Sequence, residues 1–165
     1  MPNRYFMIGL AAAGLAITIA GQAAAQLLPH KDLSLATSLA IATTAADLCK
    51  SQGYAVSVTV VGRNGEIIVQ LRGDNAPPHT VENSFRKAYS SRTYRVPSGE
   101  LVKRLKENPQ APFVYLQNVV AAQGALPIKV GDDTIGAIGV SGAPGGDKDE
   151  ICAKAGIDKV ADQLK

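Results

Sequence analysis

Histidine is scarce in this chain, and its scarcity limits the chemistry that the sequence can support. Only His30 and His79 occur among the 165 residues, so a zinc site of three histidines is impossible. A serine hydrolase is also disfavoured, because GVSGA at residues 139–143 does not match the Gly-x-Ser-x-Gly elbow and no charged base is marked for Ser141. The motifs therefore favour a binding role over a catalytic one.

The sequence also lacks a hydrophobic run long enough for a permanent membrane anchor. The uncharged run Met7–Ala20 is shorter than the ~20 apolar residues that a transmembrane helix needs. Arg4 precedes this run, and the small residues Ala23 and Ala25 follow it, as in a signal peptide. We therefore predict a signal peptide over residues 1–25, cleaved before Gln26, and no stable membrane anchor after cleavage.

The mature chain, residues 26–165, has the length of a single domain. Removing Arg4 leaves 16 basic and 14 acidic residues, a balance that argues against nucleic acid as a partner. A cleaved signal peptide places the domain in the periplasm or outside the cell.

Two cysteines, Cys49 and Cys152, are the only ones in the chain. An exported protein meets an oxidising compartment, in which such a pair can close a disulfide. We hypothesise a Cys49–Cys152 bridge; the alternative is two separate buried cysteines that act as small hydrophobic residues.

Hydrophobic periodicity predicts an α+β domain. Alternation around Val58 and Val60, with a turn at GRNG, indicates one β-hairpin, and residues 126–142 indicate a second one. Helices are predicted at residues 34–50, 80–93, 98–108 and 147–165, whereas residues 110–125 fit either a short helix or a strand. Hairpins separated by helices favour an antiparallel sheet built from two or more hairpins and covered by about four helices.

The loop SGAPGGDKDE, which leads into the last predicted helix, has the glycines of an anion-binding loop. Its acidic residues Asp147, Asp149 and Glu150 would repel a phosphate, and the sequence lacks the Gly-Lys-Ser/Thr ending of a P-loop. We interpret Asp147 and Glu150 as a capping box at the start of this helix.

The helix predicted from Thr80 to Thr93 carries most of the candidate binding chemistry. Val81, Phe85 and Ala88 form its predicted buried stripe. His79 precedes the helix, and its polar side carries the set Asn83, Arg86, Lys87 and Ser90. This set could bind carboxylates, and His79 could bind iron; a solvated basic helix with an ordinary loop histidine is the alternative.

Two blocks of the sequence, HTVENSFRKAYSSRT and GDDTIGAIGVSGAPGGDKDEICAKAG, together resemble the GlcG/HbpS-like family of haem-binding proteins. The resemblance covers the chain from about Leu33 to its end. The chain departs from the family pattern at QGALPIKV and at Phe85. The matching residues are His79, Thr80, Arg86, Lys87, Ala88, Tyr89, Gly136, Gly139, Ser141, Gly142, Asp149 and Glu150.

The resemblance implies an α+β fold with an antiparallel sheet, a homo-oligomer, and haem as the cofactor. It makes His79 the first candidate for the axial ligand of the haem iron, with Thr80 and Tyr89 as further candidates. Arg86 and Lys87 would bind the haem propionates. We hypothesise an exported haem-binding protein that holds, carries or senses haem. One alternative is an enzyme or accessory protein in which Arg86 and Lys87 bind a small organic acid such as glycolate; another is a structural oligomer without a ligand.

Overall fold

The computed structural model describes residues 26–165, which fold as an α+β domain, as the sequence predicts. The predicted signal peptide lies outside the described residues. The helices are α1 (Leu35–Ser51), α2 (His79–Tyr94), α3 (Gly99–Glu107) and α4 (Gly146–Lys159). The strands are β1 (Ser57–Val61), β2 (Ile67–Arg72), β3 (Ala125–Val130) and β4 (Asp133–Ser141). Within residues 26–165, no helix combines the length and the apolar character that crossing a membrane requires.

Two hairpins form a single antiparallel sheet with the strand order β2–β1–β4–β3. Each hairpin matches its prediction, and they join through β1 and β4, where Ser57 lies opposite Ser141 and Val61 opposite Ala137. Because β4 ends beside the start of β1, Ser141 and the loop that follows it emerge at one end of the sheet.

One face of the sheet carries the main hydrophobic core under α1 and α4. Val58 and Val60 of β1 contribute to this core with Ile138 and Val140 of β4. A disulfide between Cys49 of α1 and Cys152 of α4 crosses the same layer, with a Cα–Cα distance of 5.7 Å. The predicted cysteine pairing is therefore confirmed.

The opposite face of the sheet is covered by α2 and is unusually polar for a buried layer. The hydroxyls of Ser57 and Thr80 lie 2.8 Å apart, as do those of Thr59 and Ser84, and all four residues are fully buried. Each hydroxyl therefore has a partner across the layer, which offsets the cost of removing it from water.

The apolar stripe predicted for α2 is only partly correct. Ala88 is fully buried and contacts Val61, whereas Val81 and Phe85 are half-buried at the flank of the helix. Serine and threonine side chains take most of the positions against the sheet, so hydrophobicity alone misplaced the buried face.

Gly139 allows α2 to lie close to β4. A Cβ atom at this position would collide with the Ser84 carbonyl oxygen and lie 2.7 Å from the Ala88 amide nitrogen. We expect Gly139→Ala to lower the free energy of unfolding by about 2 kcal/mol, because backbone atoms on both sides would have to move. Urea unfolding measures this loss. Gly99→Ala is the matched control, with a change of about 0.5 kcal/mol or less, because its Cβ would meet flexible side chains. Equal effects of the two substitutions would contradict this close contact.

The segment that the sequence left undecided contains a 3-10 helix, Pro112–Tyr115, and continues as irregular chain into β3. The capping box predicted for α4 is wrong, because Gly145 is the N-cap residue and no side chain caps this helix. Instead, Asp149 and Glu150 form hydrogen bonds to other parts of the chain, Asp149 to Lys87 and Glu150 to Gln123.

Candidate functional site

A cleft of about 530 Å³ opens where α2 begins, β4 ends and the loop into α4 passes between them. His79 and Asn83 of α2 line one wall, and residues 142–146 form the opposite wall. Lys87, Ser141 and Asp149 are buried residues that also line the cleft. This volume lies within the ~300–1,000 Å³ of typical small-molecule sites. Among the residues of the two family-like blocks, most of those that line a cavity lie in this cleft.

Lys87 forms a buried ion pair with Asp149 in this cleft. The Lys87 Nζ lies 2.8 Å from the Asp149 Oδ2, and the two side chains are only 5% and 3% exposed. Lys87 also donates to the Val140 carbonyl oxygen at 3.0 Å, and the Ala143 amide donates to the Asp149 Oδ1 at 3.0 Å. The pair thus joins α2, β4, α4 and the loop that forms the cleft wall.

Burial raises the pKa of the Asp149 carboxyl above its ordinary value, while the nearby Lys87 charge and the Ala143 amide act in the opposite direction. Gly124 leaves room for the Lys87 ammonium, since a Cβ there would lie 2.6 Å from Nζ. Gly124 also has φ +133°, a backbone conformation that favours glycine.

This geometry contradicts the predicted position of Lys87 on the polar side of the helix, and it does not favour Lys87 as a partner for propionates or for a small organic acid. Its ammonium already has a carboxylate and a carbonyl as acceptors, and it lies below the surface rather than on the polar side of the helix. Helical periodicity could not show this, because the acceptor carboxylate is contributed by α4 at a distant point of the sequence.

His79 is the exposed and uncommitted group of the site. It is the first residue of α2, and no side-chain hydrogen bond or ion pair joins it to any part of the chain that the structure describes. It lines the main cleft and also a neighbouring depression of about 370 Å³, which it shares with Asn83 and Arg86. An imidazole at the junction of two open spaces is free to bind a ligand in either.

Arg86 lies on the same rim as His79 and is partly available. One of its terminal nitrogens donates to the Val119 carbonyl oxygen at 3.0 Å, and the other lies 3.6 Å from a Glu82 carboxylate oxygen. Its side chain is 37% exposed. The structure therefore brings His79 and Arg86 together, as the resemblance implied.

Thr80 and Tyr89 do not share the cleft with His79. The Thr80 hydroxyl is buried, where it pairs with Ser57 and donates to the Pro77 carbonyl oxygen at 2.7 Å. Tyr89 lies ten residues further along α2, about 15 Å along the axis, and its ring contacts Phe85 and lies against Gly65. Neither of these two further candidates for the axial ligand lines the cleft that His79 lines.

The cleft also contains polar residues that bind each other, and among them only Gln123 was not marked by the sequence. Asn83 donates to the Ser141 hydroxyl at 2.9 Å, so the partner of this serine is an amide rather than a catalytic base. Gln123 donates to Glu150 at 2.8 Å at the edge of the cleft. In the sequence, Gly124, which follows Gln123, was the feature that could have indicated this wall of the cleft.

A larger cavity, about 660 Å³, lies elsewhere in the described chain, between the C-terminal half of α1 and the region around Tyr54 and Arg72. None of the residues that match the family pattern lines it. In residues 26–165, no group of three or more histidine, cysteine or acidic residues could hold a bare metal ion. A single histidine at a cleft can bind a metal ion that a cofactor already holds through most of its ligands.

The described residues form a small α+β domain with a cleft at the start of its second helix. Residues 33–158 match the family model described as "Haem degrading protein HbpS-like", and the chain belongs to this family. No curated protein is significantly similar to the chain.

Solved structures agree with this assignment. A crystal structure of HbpS is 36% identical, with a TM-score of 0.76, and the match covers 82% of this chain and 96% of that one. A double mutant of HbpS from Streptomyces reticuli is 34% identical, with a TM-score of 0.76 and coverage of 90% and 97%. A complex of PduOC with haem is 22% identical, with a TM-score of 0.71 and coverage of 78% and 95%; at this identity it shows a shared fold.

Proposed function

We propose that this protein is exported and binds haem in the cleft at the start of α2, with His79 as the axial ligand of the iron. The observation that carries the proposal is the exposed imidazole of His79. It has no described partner, and it lines both the cleft and the neighbouring depression. Membership of the HbpS-like family supports haem as the ligand, and PduOC, which has the same fold, was crystallised with haem.

The residues around His79 are compatible with a large, planar and partly charged cofactor. Apolar side chains that include Pro77, Val102 and Pro144 line the cleft and could contact a porphyrin ring. Arg86 would pair with a propionate, since guanidinium groups bind carboxylates through two parallel hydrogen bonds. When bound, haem would supply an iron that takes an axial ligand from the protein.

The Lys87–Asp149 pair would act on the haem site indirectly. It fixes the Ala143 amide, and with it the loop that forms the wall opposite His79. A neutralised, hydrogen-bonded pair below the cleft leaves no unpaired charge facing an apolar ring.

Export remains a prediction from the N-terminal sequence, and the disulfide supports it because such bonds persist in oxidising compartments. Intact mass of the protein recovered from the periplasm or the medium would test it. A chain that begins at Gln26 is expected; a full-length chain retained in the cytoplasm would contradict export.

We expect His79→Ala to weaken haem binding roughly 10- to 100-fold or more. Mutation of a residue that only supports a metal ligand already causes a loss of this size, and His79 is the proposed ligand itself. Haemin titration, followed by absorbance in the Soret region, measures both the affinity and the ligation of the iron. His30→Ala is the matched control, because His30 is the other histidine of the chain and is also exposed.

The two variants separate the parts of the proposal. An unchanged Soret spectrum and affinity in His79→Ala would remove this residue as the ligand. Absence of saturable binding by the wild-type protein would remove the function itself. A loss in His30→Ala alone would place the ligand in the segment before α1.

A further inference from the structure

The far end of α2 carries two arginines that have no acceptor in the described chain. Arg92 is half-buried, and its Nε is fully buried without a hydrogen-bond partner in residues 26–165. Neither Arg92 nor Arg95 belongs to an ion pair within the same residues. A buried guanidinium nitrogen that loses water without gaining an acceptor is unfavourable, so Arg92 has an unmet requirement for a hydrogen-bond acceptor.

The surrounding charges increase that requirement. Burial, followed by the positive charges of Arg95 and Arg63, lowers the pKa of Arg92, and Asp133 and Glu66 offset this only in part. Asp133 is already bound by Arg63 through two hydrogen bonds, of 3.0 and 2.7 Å. The Asp133 carboxylate is therefore already committed to another arginine.

Arg95 occupies a backbone position that usually selects a different residue. It ends α2 in the left-handed conformation, with φ 58°, where glycine or asparagine is the common choice. An arginine is strained there, and strained backbone often occurs at ligand sites. Its side chain gains no described hydrogen bond in return, so contacts within the described chain do not explain why an arginine is present.

We propose that Arg92 and Arg95 form a binding site for a small oxyanion, a carboxylate or a phosphate group. Arg92 lies in the last turn of α2, and Arg95, three residues further on, is the C-cap residue of this helix, so both side chains start from the same end of α2. Guanidinium groups match the planar oxygen pairs of both anions. The site is separate from the cleft, because Arg92 follows His79 by about 20 Å along the helix axis.

Thermal unfolding of the mature protein tests the proposal, with inorganic phosphate and glycolate added separately at constant ionic strength and chloride as the reference salt. A ligand that binds only the folded state raises the melting temperature in a saturable way. We expect at least one of the two anions to produce such a rise. Which anion does so distinguishes a phosphate site from a carboxylate site.

Arg95→Gly is the decisive variant, because glycine adopts the left-handed conformation without strain. We expect its melting temperature in chloride to equal or exceed that of the wild type, while its anion affinity falls roughly tenfold or more. Arg104→Ala, which changes an exposed arginine of α3, is the control and should keep the full anion response. His79→Ala should also keep it, so failure here is independent of haem binding.

Three results would overturn the proposal. One is the absence of a saturable shift in the wild-type protein with either anion. A second is an unchanged shift in Arg95→Gly, which would leave this arginine a structural role only. The third is self-association in sedimentation velocity that Arg95→Gly abolishes, which would assign the two arginines to a contact between copies of the chain.

Discussion

Reduction of the Cys49–Cys152 disulfide is expected to lower the free energy of unfolding by about 4 to 5 kcal/mol. The bridge joins residues that are 103 positions apart, and in the chain-entropy model a loop of this length restricts the unfolded chain strongly. Because small domains are stable by only about 5 to 15 kcal/mol, a loss of this size would leave a large unfolded fraction at moderate temperature.

Urea unfolding with and without reductant measures this effect. The double variant Cys49→Ala/Cys152→Ala is the control and should be as unstable as the reduced protein and insensitive to reductant. Two free thiols in the native protein, or a change below about 1 kcal/mol on reduction, would contradict the account. The disulfide also joins α4 to α1, so the helix that carries Asp149 is expected to become more mobile when the bridge is open.

Removal of Lys87, the positive partner of the buried ion pair, is expected to cause the second large loss of stability. We expect Lys87→Met to lower the free energy of unfolding by about 3 to 5 kcal/mol at neutral pH, because it leaves the Asp149 carboxylate buried and uncompensated. Urea unfolding at pH 7 measures the loss. Lys103→Met is the control, since Lys103 pairs with Glu100 on the surface and such pairs contribute about 1 kcal/mol or less.

The pH dependence of Lys87→Met gives an independent check. Burial raises the pKa of Asp149, and the loss of Lys87 removes one of the groups that oppose this rise. The folded variant therefore retains a proton that the unfolded chain releases, so its stability should increase as the pH falls from 7 toward 5. Adding Asp149→Asn should recover part of the loss and abolish this pH dependence. A small, pH-independent loss in Lys87→Met would contradict the assignment of a buried pair.

The sequence was informative wherever local pattern determines structure. Alternation around Val58 and Val60 predicted the first hairpin, and the count of two cysteines in a chain with a predicted export signal predicted the bridge. What alternation could not show is that the opposite face, with Ser57 and Thr59, is also buried. Their hydroxyls pair with residues of α2, and this pairing becomes visible only when the helix lies on the sheet.

The candidate site was harder to predict because its chemistry depends on distant partners. Lys87 and Asp149 each look like solvated charges in their own helices, and only the fold shows that they neutralise each other. Thr80 has a similar explanation, since Ser57 and the Pro77 carbonyl hold its hydroxyl away from the cleft. His79 and Arg86 both lie on the exposed rim, where His79 has no described side-chain partner and Arg86 remains partly exposed despite its bond to the Val119 carbonyl.

The location of the proposed haem site is tested most directly by amide chemical-shift mapping with a diamagnetic haem analogue, gallium protoporphyrin IX. We predict that the largest shifts fall at His79, Asn83 and the loop over residues 142–146, which line the cleft of about 530 Å³. Shifts confined to the cavity of about 660 Å³ between α1 and the region around Tyr54 and Arg72 would contradict this account.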